Sequence, residues 1–424
     1  MITLRILSAC LGLVAAVCCI AAPVARESAL APQFFGWITH LRHTATAWPS
    51  VEFGTWRMWD SYLKWTDIES KEGVFDFSKF DLQVAIGEQY GKELIYTLGQ
   101  TPRWASSRPD DQHGYGKGTG AMPVSLDLWR RYVSRVFSRY KGRIMAYDIW
   151  NEPKYADVTG RCGGAISFCG TAGDLVRLTE VAAEELRRID PGALLTSPGF
   201  TDGKAGVARL DEYLGKGGAK YINVIAFHFY SRRPEEAFET IKMLRGVLEK
   251  HGLGRLPIWD IEHGYPIQSE REPFVDRDWP IVFSARAAAE LLVRSHIVEA
   301  STGVDRIVWY AWDNKHFGVM ETLDGQPNAV AGAYERMHGW LLGAKVGCAD
   351  QPTCGVWRCW LSRGERIADV IWSDSELSNR DMAEGRVGKI RVESLFDEPR
   401  QLGASTESDF KPSLALIPRD GRPW

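Results

Sequence analysis

Short apolar stretches alternate with longer amphipathic ones along most of this chain. Eight of the short stretches have the length and composition of β-strands, and they cover residues 34–40, 55–60, 93–99, 146–151, 193–199, 224–230, 257–262 and 306–312. Between most of them the apolar positions recur at helical spacing, as over residues 125–140, 174–189, 234–250 and 283–298. This alternation predicts a parallel sheet that is covered by helices.

The number of strands favours a closed barrel over an open sheet. Eight strand-and-helix units are the content of a (β/α)8 TIM barrel. A doubly wound open sheet is the alternative, and it would favour a Gly-x-Gly-x-x-Gly loop opening a helix, which does not occur here. The Gly-rich stretch 114–120 is interpreted as a flexible loop. We therefore predict an α/β protein with a (β/α)8 barrel over residues 30–342.

The pattern changes near Leu342. Residues 343–424 carry short alternating stretches at 356–361, 367–372, 389–395 and 413–417. Alternation at this period indicates strands that are buried on one face. We expect a small β-rich accessory domain over residues 343–424.

The first 22 residues are typical of a secretory signal peptide. Arg5 is the only charge, the stretch 6–22 is nearly all apolar, and the small residues Ala21 and Ala22 suit cleavage. A retained membrane anchor is the alternative, and a lipoprotein signal at Cys10 or Cys18 fits less well. We expect export of the protein to the periplasm or the medium.

Composition narrows the classes of partner. The 424 residues include 51 Lys and Arg and 54 Asp and Glu, which leaves a net charge of −3 and predicts no nucleic-acid partner. Beyond the first 22 residues no apolar stretch is long enough to span a membrane. The sequence is consistent with a monomer.

The cysteines agree with export. Three of the eight lie in the predicted signal, and the other five are Cys162, Cys169, Cys348, Cys354 and Cys359. Cys162 and Cys169 could close a small disulfide, and two of the three C-terminal cysteines could form another, leaving one odd thiol. A zinc site is the rival interpretation, but the spacings are not two paired Cys-x-x-Cys elements. We expect neither a metal nor a cofactor.

Two strand stretches end in a glutamate. Glu152 is followed by Pro153, and Glu262 by His263 and Gly264. Each could be an ordinary surface carboxylate, but barrel enzymes carry their chemistry at the carboxyl ends of the strands. Because the fourth and seventh strands lie across the ring from each other, the two carboxyls can face one another. Retaining cleavage of a glycosidic bond requires such a pair about 5–5.5 Å apart.

The motifs around these glutamates resemble those of clan A glycoside hydrolases. Asn151-Glu152-Pro153 is similar to the clan's Asn-Glu-Pro signature, and Arg57 to its strand-2 arginine. The stretch 65–77, with Trp65, Glu69 and Gly73, resembles the clan's W-x-x-I-E-x-x-x-G-x-Y/F-x-F segment. The stretch 101–106 is similar to family 39 glycosidases and their bacterial exopolysaccharide-linked relatives. The resemblance spans about residues 34–342.

The resemblance implies a role for each of the two glutamates. Glu152 would be the acid/base, with a pKa raised by burial and by the charge of Glu262. Glu262 would be the nucleophile, held by Arg57 and Tyr230, although Arg57 could instead form a plain barrel salt bridge. Asn151 would bond the sugar 2-hydroxyl.

Further residues are expected around the sugar. His40, His228 and Trp312 would line its site, with Trp104 as a stacking platform. Asp260 is a rival nucleophile at i, i+2 from Glu262, expected one layer deeper in a polar network, and Asp148 relates to Glu152 in the same way. His263 could affect substrate choice or the proton balance, or point outward.

Three hypotheses follow. The first is a retaining glycoside hydrolase acting on a poly- or oligosaccharide, an exopolysaccharide among the candidates. The others are a transglycosylase on the same site and a catalytically inactive carbohydrate-binding barrel. The sugar and the mode of cleavage depend on the loops 105–124 and 154–173.

Overall fold

The computed structural model describes residues 23–40, 48–156, 168–268, 281–314, 316–319, 327–353, 355–373, 390–396, 400–402 and 413–424. The predicted signal peptide, Cys162 and Cys354 lie outside these residues.

Eight parallel strands form a closed barrel. They are β1 (Phe35–Trp37), β2 (Thr55–Met58), β3 (Glu93–Leu98), β4 (Ala146–Ile149), β5 (Leu194–Leu195), β6 (Ile225–Phe227), β7 (Ile258–His263) and β8 (Val304–Trp309). Their hydrogen-bonded order is β5-β4-β3-β2-β1-β8-β7-β6. Parallel bridges from Thr196 to Val224 and from Phe200 to Phe227 join β5 to β6 and close the ring. The predicted barrel and all eight predicted strands are confirmed.

Helices follow the strands and cover the barrel. They are α1 (Trp65–Ile68), α2 (Ser78–Gln89), α3 (Leu126–Arg139), α4 (Ala172–Ile189), α5 (Gly203–Gly215), α6 (Glu236–Lys250), α7 (Ala285–Ser301) and α8 (Ala329–Leu341). Local sequence explains several of their first residues: Ser125 caps α3, and Thr171 with Asp174 forms a capping box on α4. The four helices predicted from periodicity are α3, α4, α6 and α7.

The barrel interior has its own apolar filling. Alternate strand positions turn inward and form a cluster separate from the larger core under the helices, made of Ile38, Trp59, Ile95, Ala146, Val224, Ala226, Trp259, Ile261, Val308 and Ala311. This filling excludes water from the centre of the ring. Polar side chains therefore collect where the strands end.

A second, antiparallel sheet forms the predicted β module. Its C-terminal strands are β9 (Lys345–Ala349), β10 (Val356–Arg363), β11 (Arg366–Ser373), β12 (Ile390–Ser394), β13 (Arg400–Leu402) and β14 (Leu414–Pro418). The segment Pro23–Ala25 adds an edge strand by pairing with β9. The module thus takes one strand from the segment that precedes the barrel in sequence, which the sequence pattern did not predict.

Disulfides are present in both regions. Cys348 and Cys359 face each other on β9 and β10 and are joined by a disulfide, so two of the three C-terminal cysteines do pair. Cys169 is disulfide-bonded as well.

A buried ion pair ties the module to the barrel. Glu235 accepts two hydrogen bonds of 2.8 Å from Arg294 of α7 and one of 2.8 Å from the indole of Trp372 on β11. Phe238 of α6 stacks on Trp357 of β10 with ring centroids 5.9 Å apart. Among the helices that the structure describes, none combines the length and the apolar character needed to cross a bilayer.

Candidate active site

Glu152 and Glu262 lie where β4 and β7 end. Glu152 has a left-handed backbone with φ of 46°, two residues after Trp150 with φ of 60°, and its amide donates to the carbonyl of Gly199 at 3.0 Å. Such conformations are uncommon for side chains other than glycine and often accompany function. On β7 the pairing with β8 shifts between Asp260 and His263.

The two carboxyl groups face each other. A carboxylate oxygen of Glu152, a ring nitrogen of His228 and a carboxylate oxygen of Glu262 all lie within 4.8 Å of one another. Both glutamates are largely buried, with 9% and 6% of their surface exposed. Inverting enzymes hold their carboxyls about 6.5–9.5 Å apart to admit a water, so this pair has the closer spacing of the retaining class.

His228 follows β6 and contacts both glutamates. Its Nδ1 lies 3.0 Å from Oε1 of Glu152 and 4.0 Å from Oε1 of Glu262. Burial lowers the pKa of His228, and the charge of Glu262 opposes this in part. A neutral imidazole with its proton on Nδ1 donates to Glu152.

Gly199 makes room for this imidazole. A Cβ atom at position 199 would lie 2.5 Å from Nε2 of His228. Because the carbonyl of Gly199 also accepts from the amide of Glu152, this glycine positions two members of the site. No sequence pattern identifies this glycine as part of the site, although it is the last residue of a predicted strand.

Arg57 on β2 connects the nucleophile candidate to the fourth strand. It donates to Oε2 of Glu262 at 2.6 Å, to Oδ2 of Asp148 at 2.9 Å and to Oδ1 of Asn151 at 2.7 Å. Tyr230 donates its hydroxyl to Oε1 of Glu262 at 3.2 Å. The structure therefore brings Arg57 and Tyr230 to Glu262, and Arg57 also forms the barrel salt bridge considered as its alternative.

The environments of the two carboxyls differ. Burial raises the pKa of Glu152 to about 7; Lys154 lowers it in part and Asp202 raises it further. Burial also raises the pKa of Glu262, while His228 and Arg57 oppose this. Glu262 thus has a guanidinium that favours its ionised form, and Glu152 has a pKa suited to an acid/base. The expected raised pKa of Glu152 has burial as its main cause.

Asp260 and His263 belong to a buried network behind β7. Nδ1 of His263 lies 2.9 Å from Asp260 and 2.9 Å from Glu299 of α7. The amide of Glu262 donates to Oδ1 of Asp260 at 3.2 Å. Bonds to the two carboxylates raise the pKa of His263 well above its ordinary value, although burial, the largest single effect, opposes them. Asp260 therefore serves the backbone of Glu262, in the kind of polar network that was expected.

Both histidine–carboxylate groups have the residue types of a metal site. They are Glu152, His228 and Glu262, and Asp260, His263 and Glu299. In each, the histidine Nδ1 is at hydrogen-bond distance from a carboxylate, so a shared proton explains the proximity.

The remaining predicted site residues differ in how they lie relative to the barrel mouth. The amide of His40 donates to Asp313 at 2.7 Å and its ring lies 5.4 Å from that of Tyr310 at the barrel mouth. Trp312 is buried against Trp37, with ring centroids 5.5 Å apart. The structure does not bring Trp104 to the glutamates. Its indole donates to the carbonyl of Glu69 at 2.8 Å and packs against Trp65 of α1 and Arg131 of α3.

Tyr115, which no sequence pattern identifies, faces the site from the Gly-rich loop. Burial raises the pKa of its hydroxyl well above the ordinary value, and the charges of Asp60 and Glu262 add to this. The loop that was interpreted as flexible is held to its surroundings: Ser106 donates to the carbonyl of Gly118 at 2.8 Å, and the amide of Cys169 to that of Gly120 at 2.7 Å.

Part of the chain matches a known family in sequence. Residues 56–196 match glycosyl hydrolase family 10. Endo-1,4-beta-xylanase C from Phanerodontia chrysosporium is 30% identical over 137 residues, 31% of each chain. Endo-1,4-beta-xylanase 2 from Claviceps purpurea is 26% identical over 206 residues, 47% of this chain and 60% of the relative. The chain thus spans about a third of the length of the first of these curated relatives.

Solved structures share the fold over most of the chain. A family 39 glycoside hydrolase from Bacteroides cellulosilyticus has a TM-score of 0.65 at 15% identity, covering 87% of this chain and 76% of its own. A monomeric beta-xylosidase from Caulobacter crescentus has a TM-score of 0.60 at 16% identity, covering 91% and 95%. Residues 56–196 are thus similar in sequence to glycosyl hydrolase family 10, in line with the predicted resemblance, and the chain has a fold like that of the family 39 enzyme.

Proposed function

We propose that this protein is a retaining glycoside hydrolase that cleaves O-glycosidic bonds by double displacement. The observation that carries the proposal is that a carboxylate oxygen of Glu152 lies within 4.8 Å of one of Glu262. Arg57 donates a hydrogen bond to Glu262 and not to Glu152. The approach of the two carboxyls agrees with the spacing of about 5–5.5 Å in retaining enzymes better than with the about 6.5–9.5 Å of inverting ones, which admits a water between carboxylate and sugar.

In the first step Glu262 attacks the anomeric carbon while Glu152 protonates the departing oxygen. The bond from the anomeric carbon to the leaving oxygen breaks, an ester to Glu262 forms, and the proton of Glu152 leaves with the aglycone. Glu152 becomes a carboxylate at this point. The Nδ1 proton of His228, 3.0 Å away, stabilises that charge.

In the second step the same groups exchange roles. Glu152 accepts a proton from water, the water oxygen attacks the anomeric carbon, and the ester to Glu262 breaks. The two inversions give a product of the original configuration. Arg57 and Tyr230 receive the carboxylate of Glu262 as it is released.

Asn151 is oriented for the sugar by Arg57. Because Oδ1 accepts from the guanidinium at 2.7 Å, the amide NH2 group points away from it and is free to donate. We assign this group to the sugar 2-hydroxyl, where a hydrogen bond strengthens as the transition state forms.

The substrate proposed is a poly- or oligosaccharide. Relatives named as endo-1,4-beta-xylanases and a structural neighbour named as a beta-xylosidase make β-linked xylose the first sugar to test. An exopolysaccharide is the second candidate. Either polymer lies outside the cell, in agreement with export by the predicted signal at residues 1–22.

Azide rescue tests the proposal. Glu262→Ala should lower turnover of aryl glycosides at least about a thousandfold, since no covalent intermediate can form. Added azide should restore turnover and give a glycosyl azide of inverted configuration. In Glu152→Ala, azide should give the retained configuration. Glu72→Gln, an exposed carboxyl that pairs with Arg131, is the control and should keep wild-type turnover. Wild-type turnover in either alanine variant would refute the assignment.

A further inference from the structure

A compact polar and aromatic cluster lies beside the nucleophile candidate at the barrel mouth. Nζ of Lys64 lies 3.1 Å from Oδ1 of Asp60, 4.8 Å from the ring centroid of Trp59 and 4.6 Å from that of Tyr115. Tyr310 donates its hydroxyl to Oδ2 of Asp60 at 3.0 Å. The Lys64 cluster, made of Trp59, Asp60, Lys64, Tyr115 and Tyr310, joins the loops that follow β2, β3 and β8.

The Lys64 cluster contacts Arg57, which in turn binds Glu262. The guanidinium of Arg57 lies 5.4 Å from the ring centroid of Trp59 and donates to Glu262 at 2.6 Å. Asp60 is also among the charges that raise the pKa of Glu262. The cluster is therefore on the nucleophile's side of the cleft.

The surroundings of Glu152, the acid/base candidate, are more exposed. Lys154 and Asp202 act on the pKa of Glu152, and they form an ion pair of 3.1 Å whose side chains are 41% and 40% exposed. An acid must reach the departing oxygen, so the leaving group extends toward Glu152 and its open surroundings. The sugar that is attacked extends in the other direction, toward the Lys64 cluster.

The contacts within the cluster leave it closed among the described residues. The hydrogen bond from Tyr310 to Asp60 joins the loops after β8 and β2, and the loop after β3 is joined to them by Lys64 over the ring of Tyr115 and by the edge-to-face contact of Trp59 with Tyr115, with ring centroids 5.5 Å apart. Lys64 and Asp60 are only 11% and 21% exposed. Tyr115 is fixed in place by its loop, in which Gly118 packs so closely that a Cβ would lie 3.1 Å from Ser106 and Pro109. A sugar beyond the attacked one would have to break these contacts.

We propose that Asp60, Lys64 and Tyr115 bind the terminal sugar of the substrate and end the cleft there, so that the enzyme releases one sugar at a time from the non-reducing end. This inference rests on the proposed function and adds its mode of action. Lys64 supplies donors and Asp60 an acceptor for neighbouring hydroxyls, and the opposed charges suit a neutral sugar.

The products made from hexasaccharides labelled at the reducing end test the inference. Xylo-, cello- and manno-hexaose serve as probes, and the first products are separated at low conversion. We expect the wild-type enzyme to give a monosaccharide and a labelled pentasaccharide. In the double variant Lys64→Ala, Tyr115→Ala the cleft should open, and the first unlabelled product should become a disaccharide or longer.

The same double variant should lose at least about tenfold in kcat/KM on an aryl monoglycoside, because the terminal sugar loses its contacts. Lys79→Ala is the matched control, since Lys79 also lies over a tyrosine ring, 5.0 Å from Tyr62, but outside the cluster. It should change neither products nor rates. Thermal unfolding of each variant confirms an intact fold, and a gain of longer products cannot come from misfolding.

The outcomes separate the two proposals. Internal cleavage by the wild-type enzyme that still requires Glu262 overturns the inference and leaves the proposed function standing. An unchanged product pattern in the folded double variant also overturns the inference. Absence of any Glu262-dependent turnover on aryl glycosides and hexasaccharides overturns the proposed function and the inference together.

Discussion

His228 places Nδ1 3.0 Å from Oε1 of Glu152 and 4.0 Å from Oε1 of Glu262. A neutral imidazole between two carboxyls has one proton to offer, and the shorter contact directs it to Glu152. Arg57 meanwhile donates to Glu262. Glu262 therefore has a charged donor and Glu152 a neutral one. Because a charged donor stabilises a carboxylate more strongly, Glu262 ionises first and Glu152 keeps its proton to higher pH.

The pH dependence of kcat/KM should show this assignment. Glu152 must be protonated to act on the leaving group and has a pKa of about 7, so activity should fall as pH rises through about 7. The measurement is kcat/KM between pH 4 and pH 10 on an unactivated disaccharide. A 2,4-dinitrophenyl glycoside needs no acid for departure, so its alkaline limb should move up or vanish. An identical limb for both substrates would assign it to another group.

Gly199→Ala should displace His228. The added Cβ would lie 2.5 Å from Nε2, and real contacts of this kind are not found, so the imidazole or the strand end must move. A shift of about 1 Å in a catalytic group can cost about a hundredfold in rate, and kcat/KM should fall by about that factor. Gly246→Ala on α6 meets nothing within 4 Å and is the control, with wild-type activity expected. Full activity in Gly199→Ala would mean that the position of His228 does not matter.

Local pattern was enough for the barrel and its two glutamates. Strand signals depend on neighbouring residues, and Glu152 and Glu262 stand at strand ends, which is why their meeting could be anticipated from strand order. The partners of His263 could not be anticipated, because Glu299 comes from a helix 36 residues further along the chain. Trp104 followed a strand like the others, but its ring turns toward α1 and α3, a direction that sequence does not specify.

The contacts of Tyr115 at the barrel mouth could not be predicted for the same reason, because they join residues that are distant in sequence. Tyr115 lies in a Gly-rich stretch that gives no strand or helix signal, and its loop is held by hydrogen bonds to Ser106 and Cys169. Its approach to Lys64 joins two loops that are distant in sequence. The edge strand Pro23–Ala25 is too short to produce a pattern, and its partner β9 follows the whole barrel.

Arg57→Lys should damage catalysis despite the retained charge. The guanidinium serves Glu262, Asp148 and Asn151 at once, and a lysine ammonium on a flexible stem cannot match that fork. We expect kcat/KM to fall about a hundredfold or more, equivalent to about 3 kcal/mol. The matched control is Arg131→Lys: Arg131 also donates to a buried carboxylate, Glu69, and lies 5.6 Å from a tryptophan ring centroid, away from the site. Its activity should be close to wild type; equal losses in both variants would indicate a general effect on folding.

His263→Phe should destabilise the fold strongly. The ring would keep its stacking on Trp309, with ring centroids 5.2 Å apart, but Asp260 and Glu299 would lose the group that both carboxylates contact. Leaving buried charges without a partner costs about 3–5 kcal/mol. The free energy of unfolding in urea at pH 7 measures this loss. Adding Asp260→Asn and Glu299→Gln to His263→Phe should recover part of it, because the remaining groups are neutral. His296→Phe is the control: His296 is equally buried, but its Nδ1 bonds the backbone carbonyl of Leu292 at 2.8 Å and no carboxylate among the described residues, so its replacement should cost about 1–3 kcal/mol. A smaller loss for His263→Phe than for His296→Phe would contradict the role given to the charge of His263.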